Sequence, residues 1–206
     1  MTENSRVTEA LLLVAGMGSR LQPLTLDAPK CLTLVGGIPI IERLVDNLRA
    51  QGIKRLVVVI GHMERRIRKF LQRYRHDMQI DYIVNPNYRT TNNIYSLWLA
   101  RHRVRGSFLL VEGDLIFDAS MLDGMLQPNK MAISETHPRM NGTMVELGAR
   151  QNINLIHVGY ENIDPSWYKT VNIYSLALNS WKKVEKVLNR FITENRIDEY
   201  YESVFA

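Results

Sequence analysis

Leu11-Leu12-Leu13-Val14-Ala15-Gly16-Met17-Gly18-Ser19-Arg20 is the stretch from which the rest of the chain can be read. Its four leading apolar residues form a short continuous run that stops at two spaced glycines, as a strand buried on both faces does when it ends in a sharp turn. Pro39 then opens a helix whose apolar positions Ile40, Ile41, Leu44, Val45 and Leu48 share one face, and Gly52 closes it. A second buried strand follows at Arg55–Ile60. Strand, glycine loop, helix, strand is the order that builds a parallel sheet with helices on its faces.

Further outward the alternation continues. Met63, Ile67, Phe70, Leu71 and Tyr74 recur at helical spacing, and a third strand at Gln79–Val84 is bounded by Asn85-Pro86-Asn87. Residues 93–103 predict a helix with Ile94, Leu97 and Trp98 inward, leading to a strand at 107–111 that stops at Glu112-Gly113-Asp114. The rhythm then changes. Residues 130–134, 143–147, 154–158 and 170–176 read as strands, with turns at Asn141-Gly142 and Gln151-Asn152. This is an antiparallel extension expected to shape a pocket. An amphipathic helix over 180–195 turns Trp181, Val184, Val187, Leu188 and Phe191 inward, and 197–204 has a spacing compatible with another. The fold class is α/β, with a mostly parallel mixed sheet and a small antiparallel extension.

The 206 residues suit one domain, and 46% apolar with 23% charged residues is the balance of a globular protein. The first ten residues are mostly polar, and no apolar run approaches the roughly 18 to 20 residues that cross a bilayer. Neither signal peptide nor membrane insertion is expected, and the expected location is the cytoplasm. A single cysteine, Cys31, has no partner for an internal disulfide. Net charge is +5, but Arg65, Arg66, Arg68, Lys69, Arg73 and Arg75 against Glu64 and Asp77 hold +4 of it on one helix, opposite its apolar stripe. No stacking aromatics accompany them, so the reading is a solvated face and no nucleic-acid partner. The five histidines are scattered without metal spacing, and Trp98, Trp167 and Trp181 read as packing residues.

The glycine loop is the first chemical signal. Gly16 and Gly18 let the backbone bend and approach a ligand, and the exposed amides of residues 15–19 can hold phosphate oxygens; taken alone, the same glycines also make a plain tight turn. It is not a Walker A loop, because the lysine is missing at that offset, nor a dinucleotide fingerprint, because the third glycine is absent. Arg20 and Lys30, the latter behind the restraining Pro29, add one forked and one compact cation suited to a triphosphate.

The run Gly16-Met17-Gly18-Ser19-Arg20-Leu21-x-Pro23-Leu24-Thr25-x3-Pro29-Lys30 resembles the signature of the nucleotidyltransferases that activate sugar 1-phosphates and related esters. Gly36-Gly37-x-Pro39-Ile40-Ile41, Gly52-Ile53 and Val59-Ile60-Gly61-His62 extend the likeness over at least 10–118. The resemblance implies a Rossmann-like three-layer sandwich in which 10–118 binds the nucleotide and 119–206 the acceptor. It also implies in-line attack of an acceptor oxygen on the α-phosphorus, with pyrophosphate leaving. Lys30 would stabilise charge at the α-phosphate. Arg20 and the amides of Ala15, Gly16, Met17, Gly18 and Ser19 would steady the β and γ phosphates.

Asp114 ends a buried strand at the sheet edge where α/β folds place ligands. It reads as the Mg²⁺ carboxylate, with a turn or capping aspartate as the alternative. Glu112 shares its parity and is the poorer candidate. Relatives supply a second metal carboxylate near their C-terminus, and this chain ends before that point. Asp198, Glu199 and Glu202 fall in a segment read as helix and are not assigned.

Asn92 to Leu97, Glu112 to Phe117 and Lys169-Thr170-Val171-Asn172-Ile173-Tyr174 resemble cytidylyltransferases for phosphocholine or 2-aminoethylphosphonate. The implied donor is CTP and the implied acceptor a small phosphate or phosphonate, often with an amine. Asn93 could cap its helix or bond the base, and Ser96 is a further base donor. Lys169 could hold the acceptor's phosphoryl oxygens or be a strand-edge lysine. Asn141 stands where relatives often have an aspartate that would attract an ammonium, which points to a less cationic acceptor or weaker binding. A sugar 1-phosphate nucleotidyltransferase and a non-catalytic nucleotide-binding domain are the alternative readings.

Overall fold

The computed structural model describes residues 6–137, 140–159 and 164–206. Strands β1 (Glu9–Val14), β4 (Arg55–Ile60), β5 (Gln79–Val84) and β6 (Phe108–Glu112) run parallel in the order β5-β4-β1-β6. A short hairpin, β2 (Leu34–Val35) with β3 (Ile38–Pro39), precedes helix α1 (Ile40–Ala50). Helices α2 (Glu64–Leu71), α3 (Asn93–Ala100) and α4 (Leu178–Thr193) complete the layers.

Side chains alternate across a strand, so each central strand feeds two cores. Ala10, Leu12 and Val14 of β1, Leu56, Val58 and Ile60 of β4, and Leu109 and Val111 of β6 pack with Ile41, Leu44, Leu48, Ile67 and Leu71 from α1 and α2. Leu11, Leu13, Val57, Val59, Phe108 and Leu110 point the other way, onto Ile94, Leu97, Trp181, Leu188 and Phe191 from α3 and α4. Two apolar layers of this kind make the central strands continuous hydrophobic runs, and the three-layer sandwich expected from the sequence is present. At the far end of the sheet the buried Arg55 guanidinium is neutralised by Glu9 and by Asp81, the latter accepting from Nε at 2.9 Å.

The antiparallel extension consists of β7 (Lys130–Glu135), β8 (Met144–Leu147), β9 (Ile153–His157) and β10 (Tyr168–Leu176). β10 organises it. Its C-terminal half pairs with β6, its start pairs with β8, and β7 runs along its other edge. Between Thr170 and Tyr174 the register with β7 shifts, and Asn172 takes a left-handed backbone, φ 58°.

Three local expectations differ. Met63, read as the first apolar position of the basic helix, precedes α2 in a left-handed conformation, φ 51°. Helix α3 ends at Ala100, and Trp98 is half-buried at its edge, giving its indole N–H to Asn189 at 2.9 Å. The segment after Asn195 forms only a 3-10 turn at Tyr201–Val204. Among the described residues, no helix is long and apolar enough to cross a membrane.

One glycine holds the sheet edge in place. A Cβ on Gly113 would overlap Cγ1 of Val14 and lie 3.4 Å from the Leu13 carbonyl oxygen, because β6 and β1 close tightly where Gly113 N–H donates to Leu13 O at 3.1 Å. Gly113→Ala should therefore lower unfolding stability by about 1–3 kcal/mol, as overpacking does, with the urea midpoint falling and the slope unchanged. An unaltered midpoint would show that the two strand ends can separate freely.

Candidate active site

Parallel strands place their C-terminal ends on one edge, and the loop after β1, the end of β6 and the start of α3 meet there. Together with the turn at Asn141-Gly142 and the first half of β10 they enclose a cleft of about 710 Å³. Ala15, Gly16, Gly18, Arg20, Lys30, Asn93, Ser96, Asp114, Asn141 and Lys169 all line it; Met17 and Ser19 do not.

The sharp bend lies at Gly18 rather than at both loop glycines: Gly18 has φ 65°, whereas Gly16 has no positive φ. A side chain at Gly18 would come within 2.9 Å of Lys30 Cβ and 3.2 Å of Thr25 Cγ2. Its absence lets the lysine stem lie against the loop, and Thr25 fastens the turn by donating its hydroxyl to Gly18 O at 2.9 Å. Lys30 thereby reaches across the cleft to form an ion pair with Asp114; both side chains are half-buried. The two residues on which a phosphate site would depend face one another. Cys31, next to Lys30, is buried, and burial pushes its thiol up to about 12, so it stays protonated.

The inner end of the cleft was less visible from the sequence. Strand alternation turns Glu112, like Phe108 and Leu110, toward α3, where it accepts from Asn93 Nδ2 at 2.9 Å. Burial above all, then the nearby charges of Asp114 and Glu202, raises the Glu112 carboxyl to about 7, while the bond from Asn93 opposes that rise. Asn93 does not cap α3. Asn92 does, accepting from Asn93 N–H at 2.8 Å, and the Asn93 amide instead bridges Glu112 and the backbone N–H of Tyr201, 2.9 Å from its Oδ1. Ser96 sits in the wall with its hydroxyl accepting from Asn85 Nδ2 at 3.0 Å.

Glu202, which no local pattern in the chain singles out, enters the same floor. Asn92 N–H donates to Ile197 O at 2.9 Å, Asn92 Nδ2 donates to Asp198 O at 3.1 Å, and the Tyr201 bond to Asn93 completes a three-point attachment of the C-terminal segment to α3. This delivers Glu202 into the cleft at only 4% exposure. Tyr174 reaches its Oε1 at a long 3.5 Å, and among the described residues Oε2 has no hydrogen-bond partner. Burial raises the Glu202 carboxyl above its ordinary range. Lys169 lines the same floor, donates to Thr170 O at 3.1 Å, and is lowered by burial against the opposing fields of Glu202 and Glu112. A buried carboxylate, Glu202, and a half-buried one, Glu112, thus lie close to Lys169.

Asp114 opens on this cleft and could contribute to a metal site. Among the described residues no three His, Cys, Asp or Glu side chains form a ready-made cage. That donor set fits a magnesium ion, which takes one or two carboxylates and completes its shell with water and substrate phosphates.

Similarity to known proteins agrees with this geometry. The chain is 34% identical over 151 residues to the CMP-5'-(3-aminopropyl)phosphonate synthase of Streptomyces rubellomurinus, spanning 72% of this chain and 24% of that protein. It is 32% identical over 114 residues to the 2-aminoethylphosphonate cytidylyltransferase of Lancefieldella rimae, spanning 55% of this chain and 45% of the relative. The chain thus spans less than half the length of either. The CTP:phosphocholine cytidylyltransferase of Streptococcus pneumoniae shares the fold, with a TM-score of 0.83 at 21% identity, over 97% of this chain and 84% of that one. Residues 10–142, from the first strand through the glycine loop and Asp114 to the Asn141-Gly142 turn, match the model of the MobA-like NTP transferase domain, and the chain belongs to that family.

Proposed function

We propose that the protein transfers a cytidylyl group from CTP to a small acceptor bearing a phosphoryl or phosphonyl group and an ammonium. The carrying observation is that one cleft has a glycine loop with Arg20 and Lys30 at one end and a floor of Glu112, Glu202 and Lys169 at the other. An acceptor oxygen attacks the α-phosphorus of CTP, the bond to the bridging oxygen breaks, and pyrophosphate leaves with that electron pair.

Lys30 meets the charge growing on the α-phosphate, and Arg20 with the amides of the loop holds the β and γ phosphates. Asp114 would hold the magnesium ion, whose contribution when bound is to neutralise phosphate charge. Lys169, beside Gly142, takes the acceptor's phosphoryl oxygens. The unpartnered Oε2 of Glu202 accepts from the acceptor's ammonium, so the carboxylate absent at Asn141 is supplied from the floor. Ser96 is left as the base-side donor, because the Asn93 amide is engaged within the protein. The aminoalkylphosphonate and phosphocholine chemistry named for the relatives supports both the donor and the acceptor class.

A matrix of CTP, UTP, GTP and dTTP against 2-aminoethylphosphonate, 3-aminopropylphosphonate, phosphocholine and glucose 1-phosphate, read by pyrophosphate release, tests this. Release with CTP and an amine-bearing acceptor is expected. Preference for UTP or dTTP with glucose 1-phosphate would replace the reading with a sugar nucleotidyltransferase, and silence across the matrix would reject transfer altogether.

A further inference from the structure

Asn85 follows β5, is 1% exposed, and has its amide fixed end for end by its partners. Its Oδ1 accepts from the backbone N–H of Asn87 at 2.9 Å. A backbone N–H can only donate, so the amide nitrogen faces the other way, where it donates to Ser96 Oγ at 3.0 Å and to Thr91 Oγ1 at 3.3 Å. The two hydroxyls that receive these bonds differ. Thr91 passes its own proton on to Asn87 O at 2.9 Å, whereas among the described residues the Ser96 proton meets no acceptor. Ser96 is 3% exposed and lines the cleft. A buried hydroxyl that already accepts from the protein keeps its donor for whatever enters, and an entering N–H would leave that proton unsatisfied.

We propose that Asn85 is a positioning residue that holds Ser96 as a one-way donor toward the nucleobase, and that the atom Ser96 meets is N3 of cytosine. This rests on the CTP reading above. Cytosine and uracil both carry an acceptor at O2, so a donor there could not tell them apart. At N3 they differ in sense, because cytosine presents a lone pair and uracil an N–H. A site built around a fixed donor rejects a partner that brings another donor, since one of the two buried protons is then left without an acceptor. The choice of base is thus set one residue behind the one that reads it.

Equilibrium binding of CTP, UTP and 3-deaza-CTP, in which a C–H replaces N3, reads this with no acceptor present. The parent should bind CTP about tenfold or more tighter than either of the others. Ser96→Ala should bring CTP and 3-deaza-CTP within about twofold of each other. Asn85→Asp can still accept from Asn87 N–H, but its ionised carboxylate has no proton to give, so Ser96 must donate to it and turn a lone pair to the cleft. CTP and 3-deaza-CTP should again bind within about twofold, and UTP should gain on CTP. A merely structural change weakens all three nucleotides alike, and the ratios cancel it. Should the buried carboxylate not fold, Asn85→Leu, uncharged and of similar size, carries the test: with the hydroxyl free to reverse, the preference for CTP over UTP should fall by about threefold or more. In a Ser96→Ala background neither change at Asn85 should alter the ratios further, because Asn85 acts only through Ser96. Ratios that survive Ser96→Ala, or that survive the changes at Asn85, would overturn the inference. A parent that releases pyrophosphate from CTP yet binds 3-deaza-CTP equally well would overturn the N3 contact and leave cytidylyl transfer standing, whereas a parent that binds UTP or dTTP in preference to CTP would overturn both.

Discussion

Lys30→Ala should lower turnover by about two to four orders of magnitude, the range over which removal of a preorganised charge at a reacting phosphate acts, with the fold left intact. The lysine ammonium is held by Asp114 in a half-buried ion pair, so little packing depends on it. Without ligand, each member of the pair shields the other. A nucleotide entering between the loop and Asp114 competes for Lys30, and the pair must open as the phosphates arrive. Truncation removes the cation both from that pair and from the α-phosphate. CTP affinity should fall far less than turnover, because Arg20 and the loop amides still meet the outer phosphates. Single-turnover kinetics, CTP titration and thermal unfolding on the same preparation separate these effects. Turnover within about threefold of the parent would mean that Lys30 does not touch the reacting phosphate.

Glu202→Gln should move stability and function in opposite directions. Its folded-state carboxyl is raised by burial, and that of Glu112 is raised to about 7. A group with a raised folded pKa contributes stability that is fully present below its ordinary value and is lost as pH rises through the raised one. The ligand-free protein should therefore lose stability between roughly pH 4.5, the ordinary value for Glu112, and about 7, its raised one. Removing the Glu202 charge leaves Lys169 balanced by Glu112 alone. At pH 8 the variant should gain about 1–3 kcal/mol, the scale of an imperfectly compensated buried charge, and should unfold a few degrees higher. The KM for an amine-bearing acceptor should rise by about an order of magnitude or more, since the amide cannot balance an ammonium. A variant less stable at pH 8 with acceptor KM unaltered would make Glu202 a structural partner of Lys169 and nothing more. Functional sites commonly store such a conflict, because the group that receives the ligand is left unsatisfied until it binds.

Much of this cleft could be read along the chain, because its parts are local. The apolar runs at 11–14 and 56–60 have the length and composition of buried strands, and the turn after the first holds a residue able to take positive φ, Gly18. Lys30 follows Pro29 within the same loop, and Asp114 follows its own strand by two residues, so neither position needs a distant partner to be noticed. Asn93 shows where that kind of reading stops. Its type and place at a helix start suggest a cap, and the neighbouring Asn92 takes that role because its backbone is the extended one, ψ −172°.

The floor of the cleft belongs to a different category. Glu202 lies in a short C-terminal segment with no periodicity of its own, and it becomes part of the site only because three hydrogen bonds tie that segment to α3. Glu112 gains its raised pKa from burial beneath α3, from Asp114 two residues on, and from Glu202 in the C-terminal segment. Asn172, which lines the cleft, takes its left-handed backbone where β10 loses register with β7, a strand distant in the chain. Periodicity, glycine placement and the order of elements act over a few residues and so are written in the linear chain; they set the strands, the layers and the glycine-loop end of the cleft. Burial of charge and the meeting of side chains from separate elements arise only when the chain closes on itself, and it was that closure which made the carboxylate floor.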